Sequence, residues 1–275
     1  MEFRTIVDIE DPGFRIRPCE EMLFVGSCFA TEIGRRFQEE QFRATVNPYG
    51  VMYNPASILH TIQRLYSTAS SDLQSVKTAF LTLGTNHIYR LKETGEIVDN
   101  CQKRPQLLFT EEELSVDECA DYLRQTIDIL RQVNPEIHVV LTVSPIRYRK
   151  YGYHGSQLSK ATLLLAVRKV CDHLCQSVAY FPAYEIINDE LRDYRFYQDD
   201  MLHPSQQAVD FIWDRLVETY FSAEAKTFLE EWRPIKQALN HKPFDPESDE
   251  YRRFQEQTRL RLKELQEKYP AIKEI

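Results

Sequence analysis

Glycine is scarce in this chain, with eight in 275 residues, so the place of each one carries information. Long apolar runs are absent as well: no stretch approaches the roughly 20 residues of a membrane-spanning helix. Residues 1–10 carry acids where a secretory leader needs a basic and then an apolar segment. A cytoplasmic protein without a membrane partner is therefore expected. Cations are in deficit, 34 Lys and Arg against 42 Asp and Glu, for a formal net charge of −8. That balance opposes binding along a phosphate backbone, so nucleic acid is not an expected partner. The six cysteines, Cys19, Cys28, Cys101, Cys119, Cys171 and Cys175, contain no C-x-x-C pair and are too few for a disulfide scaffold. Reduced thiols are expected, with Cys171 and Cys175 one helical turn apart as small core residues. His60, His87, His138 and His173 show no metal-ligand spacing, and no metal is expected.

What is present is an alternation of strand-like and helix-like segments. With 43% hydrophobic residues the chain has material for a substantial core. Met22 to Gly26 is strand-like, and the four-residue spacing of Phe29, Ile33 and Phe37 marks the helix after it. A second strand is predicted at Phe42–Val46, ending in Asn47-Pro48-Tyr49-Gly50. Asn54 as cap and Pro55 in the first helical position open another helix with Ile58, Ile62 and Leu65 on its apolar face. A third strand is predicted at Ala79–Leu83 and a fourth at Ile137–Val143; between them, Ser115 and Glu118 form a capping box ahead of the stripe Val116, Cys119, Leu123, Ile127, Leu130. Leu163, Val167, Val170, Leu174 and Val178 mark a long helix that leads into a fifth strand, Val178–Phe181, and Val209, Ile212, Leu216 and Tyr220 mark the next helix. This order predicts an α/β fold with a mostly parallel sheet covered on both faces, over residues 1–221.

Beyond about residue 222 the composition turns charged and helix-favouring. Pro234, Pro243 and Pro246 are expected to divide this extension, 222–275, into pieces. The stripe Tyr251, Phe254, Thr258, Leu262, Leu265 is expected to pack on its own domain rather than in a coiled coil, because it spans barely two heptads.

The chemistry starts from Ser27. A serine at a strand-to-helix turn exposes its hydroxyl above the sheet, with helix N–H groups nearby to receive an oxyanion. Far downstream, Asp200 and His203 stand three residues apart just before a helix, a spacing at which one tight turn returns the carboxylate to the imidazole. Together these residues predict a serine hydrolase. Asp199 is the alternative carboxylate and Cys28 the alternative nucleophile. Gly26, Gly50 and Gly84 each lie at the carboxyl end of a predicted strand, where an open α/β sheet forms its crevice. Arg147 to His154 interleaves cations and aromatic rings after the fourth strand. Arg147, Tyr148 and Tyr151 are candidate substrate contacts; a solvated loop is the alternative.

Gly26-Ser27-Cys28-Phe29-Ala30 resembles the motif that names the GSCFA family, assigned to the SGNH (GDSL-like) hydrolase superfamily. Asn47-Pro48-Tyr49-Gly50, Leu83-Gly84-Thr85, Asn100-Cys101, Thr142 to Pro145 and Asp200 to Pro204 look like further family blocks, and the similarity runs over about 20–221. The resemblance implies a flavodoxin-like, three-layer α/β/α fold with a five-stranded sheet, a Ser27 nucleophile, a His203 base and Asp200 as its orienting acid. It also implies an oxyanion hole made of the Ser27 N–H, the Gly50 N–H and the Asn86 side chain, with Asn100 as alternative to Asn86. Two departures stand out: Val25-Gly26-Ser27 lacks the acidic residue that usually precedes the nucleophile, and His87 replaces the aspartate of the third block. The expected activity is esterase action on an oxygen ester, with an acetyl ester on a carbohydrate as one substrate and no cofactor. O-acyl transfer to a carbohydrate is the enzymatic alternative, and a catalytically silent binding module is the other.

Overall fold

The computed structural model describes residues 4–101, 104–174 and 177–272. Its elements in chain order begin with β1 (Glu21–Gly26), α1 (Cys28–Glu39), β2 (Arg43–Val46), α2 (Pro55–Thr68), α3 (Ser70–Ser75) and β3 (Thr78–Leu83). Then come β4 (His87–Leu91), β5 (Ile97–Val98), β6 (Phe109–Glu113), α4 (Val116–Val133), β7 (His138–Val143), α5 (Gly152–His173) and β8 (Val178–Tyr180). The last helices are α6 (Ala183–Glu185), α7 (Gln206–Tyr220), α8 (Ala223–Leu239) and α9 (Asp249–Lys268).

The main sheet has the order β2-β1-β3-β7-β8, and every pairing in it is parallel. Alternation along the strands sends side chains to opposite faces, and both faces are buried. Phe24, Phe80 and Val140 face a core with Phe29, Ile33 and Phe37 of α1 and Val209, Ile212 and Leu216 of α7. Leu23, Val25, Leu81 and Leu141 face the other core, with Ile58 and Ile62 of α2, Leu123 and Ile127 of α4, and Leu163 and Val167 of α5. The result is the three-layer α/β/α arrangement expected for an SGNH-type fold. From β1 the chain moves outward to β2, whereas from β3 it moves the other way to β7 and β8. The order therefore reverses between β1 and β3, where open α/β sheets place their crevice.

The structure departs from the sequence expectations in several places. Between β3 and α4 lies a second antiparallel sheet, β5-β4-β6, which was not predicted. Its strands are short and charged, and cross-strand contacts such as Arg90 to Glu112 at 3.1 Å help hold them instead of an apolar pattern. The long helix begins at Gly152, so Tyr153 and His154 belong to its first turn and not to a free loop; it ends at His173, which leaves Val178 to the strand alone. Cys171 is half-buried near that end, and Cys175 lies outside the described residues. Pro234 does not break the extension but sits inside α8, flanked by the buried Trp232 and Ile235, whose packing outweighs the lost hydrogen bond. Pro243 and Pro246 do fall between α8 and α9. Phe228, Trp232, Leu265 and Tyr269 join the same core as Phe37 and Phe42, and Trp232 Nε1 donates to Glu39 O at 3.0 Å. Among the described residues, no helix is long and apolar enough to cross a membrane.

One buried cation ties the carboxyl ends of the central strands together. Lys160 is 2% exposed, and its Nζ donates to Gly84 O and Ser144 O, each at 2.7 Å. It stands in phase with Leu163 and Val167 on the inward stripe of α5. Burial pulls its pKa down to about 7, while the two carbonyls favour the protonated form. A lysine whose folded pKa lies below its unfolded value leaves the unfolded chain holding more protons between about pH 7 and 10.5; over that window this group makes the fold more stable as pH rises. Lys160→Met removes the donor from two buried carbonyls and should cost roughly 2–5 kcal/mol at pH 7. Denaturant unfolding at pH 7 and 10 checks this, with the gap between wild type and variant expected to widen at the higher pH.

Candidate active site

The chain turns from β1 into α1 at a place where two backbones nearly touch. Gly26 has φ +145°, and a Cβ there would overlap the Thr82 carbonyl of β3. Ser27 follows as the N-cap of α1. Its N–H donates to Thr82 O at 3.0 Å, and its Oγ accepts from Phe29 N at 3.3 Å. The loop after β2 fastens the turn from the other side. Asn47 Oδ1 accepts from Gly26 N at 2.9 Å, Asn47 Nδ2 donates to Thr31 Oγ1 at 2.9 Å, and Met52 N donates to Gly26 O at 2.9 Å. Asn47 takes φ +42°, a left-handed conformation that asparagine tolerates better than most residues. The elbow thus has a polar anchor although the residue before Gly26 is Val25.

Asp200 and His203 form a closed turn ahead of α7. Asp200 Oδ1 accepts from Leu202 N at 2.8 Å and His203 N at 3.0 Å, and Asp200 Oδ2 lies 2.6 Å from His203 Nδ1. Those backbone donors and the imidazole hold the carboxyl at a pKa of about 2, so it is ionised across the working range. Asp200, not Asp199, is thus the carboxylate bonded to the ring. The turn is docked on the loop after β7: Arg147 N donates to Leu202 O at 3.1 Å, and Arg147 Nη1 to Met201 O at 3.2 Å.

Packing brings this turn and Ser27 to the same edge. Both α1 and α7 start at the carboxyl ends of the strands, run back along one face, and touch through Phe37 and Trp213, whose ring centroids are 4.8 Å apart, and the Arg36–Asp210 ion pair at 3.4 Å. Ser27 is fully buried, whereas the His203 side chain is 38% exposed, and among the described residues no hydrogen bond joins the two. Such bonds are often long or unformed before substrate binds.

The groups expected to form the oxyanion hole are each engaged elsewhere. The Ser27 N–H is on Thr82 O, and the Gly50 N–H donates to Asn47 O at 2.9 Å. Asn86 Nδ2 donates to Leu114 O at 2.8 Å and so pins the stem of the second sheet, while its Oδ1 is buried without a partner. Asn100 is exposed beyond β5, next to Asp99, whose carboxylate accepts from or pairs with His60 Nδ1 at 2.8 Å.

The rings expected to contact substrate are largely occupied by the protein itself. Tyr151 stacks on His87 with centroids 3.6 Å apart and planes 4° from parallel. The Arg147 guanidinium lies 4.3 Å from the Tyr153 ring centre and 5.4 Å from that of Tyr197. Tyr148 turns inward, its hydroxyl buried without a partner. Cys28 is half-buried, with Sγ 3.7 Å from the Tyr53 hydroxyl, whose pKa burial and the nearby thiol push up to about 12. A cavity of about 250 Å³ is lined by Arg147, which bonds the Asp200–His203 turn, and by Gln157, Asn188, Asp193, Tyr194 and Tyr197 among others; Ser27, Asp200 and His203 do not line it. A larger one, about 470 Å³, lies between α1, α7 and α8 around Arg36, Trp213 and Lys236, and contains none of the candidate catalytic groups.

Asn47 and Lys160 were not identified from the sequence as parts of this site. Asn47 belongs to a block read as a loop. Lys160 could have been found as a lysine in phase with an apolar stripe.

In comparisons with known proteins, no curated protein matches the sequence. Among solved structures, the chain is similar to a member of the lipolytic G-D-S-L family from Veillonella parvula, at 13% identity and TM-score 0.49, over 73% of this chain and 98% of that one. It is also similar to a family 3 carbohydrate esterase from Clostridium thermocellum, at 14% identity and TM-score 0.42, over 81% and 99% of the two chains. The GSCFA family pattern matches residues 21–77 and 66–216, and that of the C-terminal domain of GSCFA domain proteins matches 232–273. On those matches, which also take in the charged extension, the chain belongs to the GSCFA family.

Proposed function

We propose that this protein is a serine esterase that cleaves an oxygen ester through an acyl-enzyme. The observation that carries the reading is the Asp200–His203 pair, closed at 2.6 Å on the same sheet edge as the Ser27 elbow. With Asp200 ionised and bonded to Nδ1, the imidazole carries its proton there and leaves Nε2 as the base. Ser27 Oγ attacks the ester carbonyl, a C–O bond forms, and the hydroxyl proton passes to His203. The tetrahedral intermediate collapses with cleavage of the bond to the alcohol, which departs with that proton. Water then attacks the acyl group on Ser27, gives its proton to His203, and the acid leaves as Ser27 recovers its hydrogen. No cofactor enters these steps.

A short acyl group such as acetyl suits a nucleophile with no solvent exposure, and a carbohydrate suits the polar cavity lined by Arg147 as the alcohol side. A second sugar hydroxyl in place of water would make the same intermediate an acyl donor. The competing reading is a silent binding module; what favours it is that Ser27 and His203 are not hydrogen-bonded and that the expected oxyanion donors are engaged.

Hydrolysis of p-nitrophenyl acetate separates these readings. Wild type should turn over, and Ser27→Ala should lose on the order of 10³-fold or more in kcat; equal rates in the two proteins would remove Ser27 from the chemistry. Asp200→Asn tests the base. The amide keeps an oxygen for the Leu202 and His203 N–H groups but presents NH₂ to Nδ1, which forces the wrong tautomer. The expected result is a loss of up to about 10⁴-fold in kcat with little change in melting temperature.

A further inference from the structure

The groups that the family resemblance assigns to the oxyanion are bound within the protein, yet a donor without an acceptor stands among them. Tyr148 Oη is buried and makes no hydrogen bond. An unsatisfied buried hydroxyl is destabilising, and in a native structure it calls for an explanation.

Its surroundings say where it points. A Cβ on Gly84 would collide with Tyr148 Oη, so the bare Cα of Gly84 makes the room for the hydroxyl. Gly84 follows β3, and the β1–β3 register pairs Gly26 with Thr82. Gly84 thus lies two residues beyond the partner of Gly26, and its N–H donates to Tyr53 O at 2.8 Å. The Tyr53 ring meets Tyr148 edge-on at 6.1 Å, and the hydroxyl of Tyr53 contacts Cys28 Sγ. The ring of Tyr148 is held from behind: Lys160 Nζ lies 5.0 Å from its centre, and the Tyr148 N–H donates to Ser156 Oγ at 3.2 Å. Since the same ammonium bonds Gly84 O and Ser144 O, Lys160 fixes the tyrosine relative to the strand ends that border the crevice.

We propose that the Tyr148 hydroxyl donates a hydrogen bond to the carbonyl oxygen of the scissile ester as it becomes an oxyanion, in place of the Asn86 amide. The proposal rests on the Ser27 esterase reading. The hydrogen bond shortens as charge builds on the oxygen, and no proton is transferred. Burial holds the phenol pKa well above its ordinary value, so the group stays a donor throughout. This role also accounts for the cost of leaving the hydroxyl unpaired in the free protein: its partner arrives with the substrate. Tyr148 is then not the exposed stacking surface expected from the cation and ring pattern.

The test is Tyr148→Phe in the full chain, which keeps the ring, its edge contact with Tyr53 and the Lys160 cation over its face. For p-nitrophenyl acetate, kcat should fall about 10²–10³-fold with KM little changed, as for loss of one oxyanion donor. Binding of a trifluoromethyl ketone, which adds Ser27 to form an oxyanion, should weaken about as much. The melting temperature should rise, because an unpaired buried hydroxyl has gone. A Tyr148→Phe protein that retains kcat within about twofold, while Ser27→Ala is inactive, overturns the proposal and leaves the esterase reading standing. A variant of lower melting temperature with unchanged ketone affinity also overturns it, in favour of a packing role. Wild type with no Ser27-dependent turnover overturns both.

Discussion

The contact on which the rest of the site depends is that of Gly26 with the carbonyl of Thr82. A strand that must become a helix within one residue has to leave the sheet abruptly, and here it does so pressed against its neighbour. Only a residue without Cβ fits. Ser27 is thereby fixed as N-cap by its own N–H on β3, and Asn47 and Met52 hold Gly26 from the opposite side. Any looseness in this junction would be passed directly to the hydroxyl, and a tenth of a nanometre is enough to spoil the attack proposed for it.

Around that junction the protein spends its polar groups on positioning. Lys160 spans β3 and β7, Asn86 ties the second sheet to the core, and Ser159 Oγ accepts from Asn86 N at 3.0 Å. The Asp200 turn is built the same way, with one carboxylate satisfying two N–H groups and the imidazole. Such networks are stable only when their members are satisfied. The Asn86 Oδ1 and the Tyr148 hydroxyl are both buried without a partner here, and of these two only the hydroxyl has a proton to donate.

Much of this was legible in the sequence, for reasons that can be traced to residues. The three central strands, β1, β3 and β7, announced themselves because both faces of each are buried, which requires short runs such as Ala79–Leu83 and Val139–Val143 that are apolar or small throughout. The capping box at Ser115 and Glu118 fixed the start of α4, since local hydrogen bonds there do not depend on the rest of the fold. The second sheet was not legible: Thr110 to Glu113 carries three consecutive acids, and the strand exists only because Arg90 and its neighbours lie opposite. Nor was the use of Asn86, whose amide could face a crevice or a carbonyl equally well until Leu114 was placed beside it. Motif residues thus gave the position of the elbow and the Asp200–His203 turn, while the partners that bind or free each donor were set by tertiary contacts.

The most direct test of the account is the site of covalent capture by a fluorophosphonate, read by peptide mapping of the intact chain after labelling. The expected result is a single adduct on Ser27 that disappears when the protein is denatured beforehand. A protein that takes up no label, or one that carries it on Cys28, would contradict the assignment of the elbow serine as nucleophile.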